Sequence, residues 1–179
     1  MRRPVVVFAS VLLLAPTVAA YPQWSVGLSL GAGARLAPPV DREVLITAAV
    51  RSDATFGART PHAWRAGFFG AVGTTDFVTL EVAAGGILHI PVNASFPVLL
   101  SAGAVLDLAP NPGRTAVLGR IWWGSRSLNY HSTYGMTAGF WAEGRYRPGE
   151  GSADVLVGVD ADLRFLALPF VMLAGWLQH

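Results

Sequence analysis

The chain has 179 residues, 53% of them hydrophobic and only 13% charged, with no cysteine and no lysine. About 25% charged residues is usual for a soluble domain, so the composition excludes an ordinary water-exposed surface. Arg2 and Arg3 stand at the very start, and the other 11 of the 13 basic residues face 11 Asp and Glu, which excludes the basic excess that nucleic-acid binding needs.

Residues 1–20 have the layout of a secretory signal. Arg2 and Arg3 precede an apolar run from Val5 to Ala15, broken only by Ser10, and the small residues Thr17-Val18-Ala19-Ala20 follow. The run is shorter than the roughly 20 residues a spanning helix needs. The expectation is cleavage after Ala20, leaving residues 21–179 as a single mature domain. An exported chain without cysteine suits a bacterial envelope better than a small disulfide scaffold.

From Trp24 onward the chain alternates. Between Trp24 and Arg35 the even positions are Trp, Val, Leu, Leu, Ala and Ala, and the odd ones Ser, Gly, Ser, Gly, Gly and Arg. A period of two is the signature of a strand. The same reading predicts strands at Trp24 to Arg35, Val44 to Val50 with an extension toward Phe56, Ala63 to Gly73, Phe77 to Ile90, Phe96 to Leu108, Arg114 to Trp123, Tyr134 to Tyr146 and Ala153 to Phe165. Stretches such as Pro38-Pro39-Val40-Asp41, Pro110-Asn111-Pro112-Gly113 and Pro148-Gly149-Glu150-Gly151 separate them, and these are turn compositions because Pro fixes φ and Gly or Asn accepts positive φ.

Each strand is apolar on one parity and carries its charges on the other. Val155, Val157, Val159, Ala161, Leu163 and Phe165 oppose Asp160, Asp162 and Arg164; Val78, Leu80 and Val82 oppose Thr79 and Glu81. A membrane barrel turns its apolar parity to lipid and its polar parity to its own lumen. The predicted fold is therefore all-β, a single closed antiparallel up-and-down transmembrane barrel of about eight strands. Its lumen set is Arg35, Arg65, Glu81, Asp107, Arg120, Glu143, Arg145, Asp160, Asp162 and Arg164, expected to pair as one continuous network and close a narrow interior. The thirteen uncharged residues from Phe165 to Leu177 lose the alternation and are interrupted by Pro169. They read as a closing strand with an apolar lumen side, which would raise the count to ten or merge two earlier segments, as a short helix packed at the periplasmic rim, or as a signal that extends the barrel.

Trp24, Trp64, Trp123, Tyr134, Tyr146 and Trp176 fall near strand ends, as a girdle at the headgroup level requires. Adjacent Trp122 and Trp123 face opposite ways on a strand and cannot form one ligand platform. Tyr130-His131-Ser132 with Glu143 downstream supplies the residue types of acyl-ester hydrolysis, with His131, Ser132 and Glu143 as base, nucleophile and carboxylate, but adjacent residues on a strand cannot meet. The four histidines have no ligand spacing, so neither a metal nor a cofactor is expected.

Taken together, the signal, the alternation, the strand count and the aromatic ends resemble the small bacterial outer-membrane β-barrels, the OmpA-like and OmpX-like eight-stranded proteins. The resemblance is to their architecture and carries no residue-specific motif. It implies a monomer in the outer membrane, in contact with its lipid and lipopolysaccharide and placed there by the barrel-insertion machinery, with both termini in the periplasm and the loop after Arg35 outside the cell. By elimination, the role expected is a non-enzymatic one in envelope structure or surface interaction, with a barrel enzyme acting on lipid or lipopolysaccharide acyl chains and a narrow passive channel as the alternatives. Such chains commonly end on an aromatic residue, whereas this one ends Trp176-Leu177-Gln178-His179.

Overall fold

The computed structural model describes residues 21–37, 41–58, 60, 62–93, 95–126, 135–164, 167 and 176. The expected signal lies outside them. Eight strands follow one another as β1 (Tyr21–Ala37), β2 (Asp41–Gly57), β3 (Arg65–Thr75), β4 (Thr79–Ile90), β5 (Val98–Ala109), β6 (Thr115–Arg126), β7 (Thr137–Arg147) and β8 (Ser152–Asp162). Each pairs antiparallel with the next, and β8 returns to β1, with Gly31 opposite Gly158, to close the barrel. The ring of eight closes with β8 paired to β1; of residues 165–177, for which a closing strand or a short helix is considered above, all but 167 and 176 lie outside the described residues. Leu163 and Arg164, the first residues past β8, are helical rather than extended.

Closure follows from the alternation. Outward positions are mostly Val, Leu, Ile, Ala and Phe, with a few Gly, Ser, Thr, Trp and Tyr, while inward positions carry the charges and most of the closely packed glycines. Gly85 and Gly103 face each other across β4 and β5, and a Cβ on either would come within 2.2 Å of the neighbouring strand's carbonyl oxygen. Only glycine lets these two strands approach so closely at a point where the wall curves. Among residues whose side chains are described, no charged one faces outward from any strand.

The connections differ between the two ends. At the end away from the termini they are residues 38–40, 76–78, 110–114 and 148–151; at the terminus-side end they are residues 58–64, 91–97 and 127–136. The interior holds two apolar clusters: Leu45, Ile87, Leu99, Trp122, Trp141 and Leu156 form one, and Phe69, Val105, Ala116 and Leu118 the other. The core is thus the lumen itself, filled by side chains as eight strands require.

Candidate functional site

The chemistry of this molecule is concentrated inside the barrel. β6 and β7 pair with Arg120 opposite Glu143, and β4 and β5 with Glu81 opposite Asp107, so the inward parity sets carboxylates and guanidinium groups on facing walls. Arg145 donates from Nη1 to both oxygens of Glu81, at 2.8 and 2.9 Å, and from Nε to Glu143 at 2.6 Å. Glu143 also lies 3.5 Å from Arg120, which in turn donates to Asp160 and to Ser29. Thr75 completes the group by donating to Glu81 at 3.1 Å. Five ionised groups therefore run as a chain, Glu81 to Arg145 to Glu143 to Arg120 to Asp160, with charges alternating in sign.

Three smaller groups flank this chain. Toward the short-turn end Arg35 binds Asp154 at 2.9 Å and Glu43 at 3.0 Å, and Arg147 also binds Asp154. On the rim at that end Arg114 bridges Glu150 and Asp107. Toward the terminus-side end Arg126 donates to Asp53 at 2.6 Å, and Ser25 donates to the other oxygen of Asp53 at 2.9 Å. The expected continuous network is divided, in the bonds among described residues, into these separate groups.

The placement of the individual residues is uneven. Arg35, Glu81, Asp107, Arg120, Glu143, Arg145 and Asp160 take part in the ion pairs just described; Arg65 and Asp162 face inward and are buried at the terminus-side end, where Arg65 donates to the Ala58 carbonyl at 2.7 Å. Arg164 departs from the expectation. β8 ends at Asp162, and Arg164, in the helical turn that follows, is exposed rather than buried in the lumen, its N–H donating to Asp162. Asp53, Arg126, Arg147 and Asp154 belong to the interior set but were not in the expected one. Arg126 and Arg147 continue the parity of Arg120 and Arg145 past the strand ends expected from the turn residues, so a longer reading of β6 and β7 finds them.

Aromatic and cationic groups interlock with the ion pairs. The Arg120 guanidinium stands 4.2 Å from the ring centre of Trp141, and that of Arg51 stands 3.9 Å from the ring centre of Phe69. Arg51 also donates to Ser101 at 2.8 Å across the lumen. Two interior cavities of about 30 Å³ each lie on either side of Arg51 and Arg120, both of which line both spaces. Each is of the order of one water molecule in volume.

Of the residues considered for ester hydrolysis, Glu143 is fixed by Arg145 and Arg120, and His131 and Ser132 lie outside the described residues. Among the described residues no group of three or more His, Asp and Glu side chains could hold a metal. Trp24, Trp64, Trp123 and Tyr146 are exposed on the outer surface, the first three toward the terminus-side end, and Trp176 is exposed beyond β8; Tyr134 lies outside the described residues. Trp122, the neighbour of Trp123, points inward and is buried. Comparison of the chain with protein-family models, with curated proteins and with solved structures finds no match.

Proposed function

We propose that this chain is an integral β-barrel of the bacterial outer membrane, exported behind a cleaved signal, whose lumen is sealed by its own ion pairs and whose role is in envelope structure or surface interaction rather than catalysis. The observation that carries the reading is the inversion of the two faces. The wall exposes Leu30, Val50, Phe68, Val72, Ile121, Phe140 and Val157 to its surroundings, while Glu81, Asp107, Arg120, Glu143, Arg145 and Asp154 are buried within. Water outside such a wall would be costly, at about 25 cal/mol per Å² of apolar surface, whereas hydrocarbon outside it removes that cost. β3 to β8 have 11 or 12 residues each, the length that crosses a bilayer when tilted.

The lumen supports a closed barrel over a conducting one. Arg51 and Arg120 stand between two cavities too small for a hydrated ion; Asp160 and Glu143 hold Arg120 there, and Ser101 and the Phe69 ring hold Arg51. In this reading the partners are outer-membrane lipid, lipopolysaccharide and the insertion machinery, and the protein works as a monomer. The test is fractionation of the native protein combined with electrophoresis of boiled and unboiled samples. Recovery in the membrane fraction with a heat-dependent shift in mobility is the expected result; recovery in the soluble periplasm overturns the proposal.

A further inference from the structure

The turn between β3 and β4 holds an aromatic residue in a backbone conformation that aromatic residues avoid. Val78 N–H donates to Thr75 O at 3.2 Å, and both residues between them have positive φ, 56° at Asp76 and 55° at Phe77. Asn-Gly or Asp-Gly ordinarily fills such a turn. A bulky side chain there is an outlier that its surroundings must enforce. The enforcement comes from β2. Asp76 N–H donates to Ile46 O at 2.7 Å, and Asp76 Oδ1 accepts from Ile46 N–H at 2.8 Å. With Asp76 held at both points, Phe77 and Val78 are left 72% and 69% exposed.

Val44 and Ile46 extend the same apolar patch. They face outward on the part of β2 that runs beyond its pairing with β3, which starts at Thr47, and they are 76% and 49% exposed. What covers the patch follows from strand length. The 11 residues of β3 rise about 3.4 Å each and, at a tilt of about 40°, span roughly 28 Å, close to the apolar band of about 25 Å that such barrels present. The turn therefore sits where hydrocarbon gives way to headgroups, and Val78 joins the patch to the outward wall through Leu80. Charge begins on the adjoining hairpin only past Val44, at Glu43.

We infer that the Thr75–Val78 turn is a lipid-seated finger: Phe77 and Val78, with Val44 and Ile46 beside them, enter the lipid headgroup interface at the short-turn end and set the depth at which the barrel rides. The inference rests on the wall facing hydrocarbon, as proposed above. Retaining an aromatic residue in strained backbone is then explained by what its ring touches.

The absence of cysteine makes the test direct. Phe77→Cys, Val157→Cys and Glu150→Cys each accept one environment-sensitive fluorophore, and the labelled proteins are refolded into dimyristoylphosphatidylcholine vesicles. Position 77 should be quenched by lipid spin-labelled near the headgroup and shielded from iodide, position 157 by lipid labelled deeper in the chain, and position 150 by iodide. Iodide quenching at 77 as strong as at 150, with 157 still in lipid, overturns the finger and leaves the wall reading standing; iodide quenching at 157 overturns both. A second measurement needs no label. Phe77→Asn accepts the positive φ but removes the ring, so its resistance to urea should be at least that of the parent in micelles, while its unfolding from vesicles should be about fivefold faster. Parent-like or slower unfolding in both media removes the lipid contact as the role of Phe77.

Discussion

The indole of Trp141 occupies the space where a side chain at Gly31 would stand. A Cβ on Gly31 would lie 2.3 Å from Cη2 of that ring, and one on Gly158, between the two residues in the sheet, 2.5 Å from Cζ2. Glycines on two neighbouring strands thus form the seat for one indole, and the Arg120 guanidinium is held against the ring. Gly31→Ala should destabilise the barrel by ~1 to 3 kcal/mol through overpacking. Combining it with Trp141→Phe should recover part of the loss, because the two positions share one space. Urea unfolding in micelles, followed by the mobility shift, measures both; a Gly31→Ala barrel as stable as the parent removes this packing account.

Carboxylates in the lumen are not equivalent, and the ion-pair connectivity ranks them. Removing Glu143 leaves Arg145 with Glu81 and Arg120 with Asp160, so Glu143→Ala should cost only ~1 to 3 kcal/mol, as for a buried hydrogen-bonded group whose partners keep other bonds. Asp154, with a fully buried side chain, holds both Arg35 and Arg147. Asp154→Ala should cost more, ~3 to 5 kcal/mol, because Arg147 is then buried without its carboxylate. Equilibrium unfolding of the two variants in the same detergent gives the order, and an inverted ranking contradicts the connectivity.

The eight strands were legible because their signal is local: the parity of Trp24 to Arg35, or of Val155 to Asp162, can be read within a few residues. The ends were less legible. Arg126 and Arg147 follow the correct parity but adjoin loop-like sequence, and whether a strand runs on is decided by its partner, as when Arg126 finds Thr137 across the sheet. Arg164 shows the converse, since its parity continues past the point where the pairing of β8 with β1 stops at Asp162. Which Arg meets which carboxylate was not legible either. Arg120 and Asp160 are 40 positions apart and come together only when the barrel closes. The seat for Trp141 was equally hidden, because a glycine on a strand shows its purpose only when the side chain that covers it is known.

On the short-turn rim, Glu150 carries a pH dependence of definite sign. Burial alone would raise its carboxyl, but the hydrogen bond and charge of Arg114, aided by Ser152 and Arg147, hold it below the ordinary value of 4.5. A carboxyl depressed in the folded state contributes stability that is complete above the unfolded value and lost as pH falls through the folded one. The parent should therefore exceed Glu150→Gln in stability at neutral pH, with the gap closing in acid below 4.5. The pair is partly exposed, so the gap should also shrink in high salt. A gap that is constant from neutral pH into acid contradicts the assignment.

The outer wall gives a depth-dependent expectation. Val157 faces outward midway along β8, between Ala142 of β7 and Ala32 of β1. Val157→Arg should reduce the stability of the vesicle-inserted protein by ~2 to 4 kcal/mol, whereas Val44→Arg, near the short-turn rim, should cost ~0 to 1 kcal/mol. Equal costs at the two positions would be inconsistent with a bilayer around this wall.

Arg51 offers the cleanest probe of the proposed lumen seal. It lines both interior cavities, rests on Phe69 and donates to Ser101, and among the described residues it has no carboxylate within ion-pair distance. Truncating it therefore opens the space between the cavities without leaving a negative charge buried and unpaired, which is the complication that attends Glu143 or Asp154. Arg51→Ala should fold with a loss of only ~1 to 2 kcal/mol, the scale of one hydrogen bond and one cation–π contact. It should also conduct measurably more than the parent in a planar bilayer, and restoring bulk with Arg51→Met should return conductance toward the parent level, because the space and not the charge is what closes the path. Large, stable conductance in the parent, or no change on truncating Arg51, would remove this residue as the plug and move the barrel toward the channel reading.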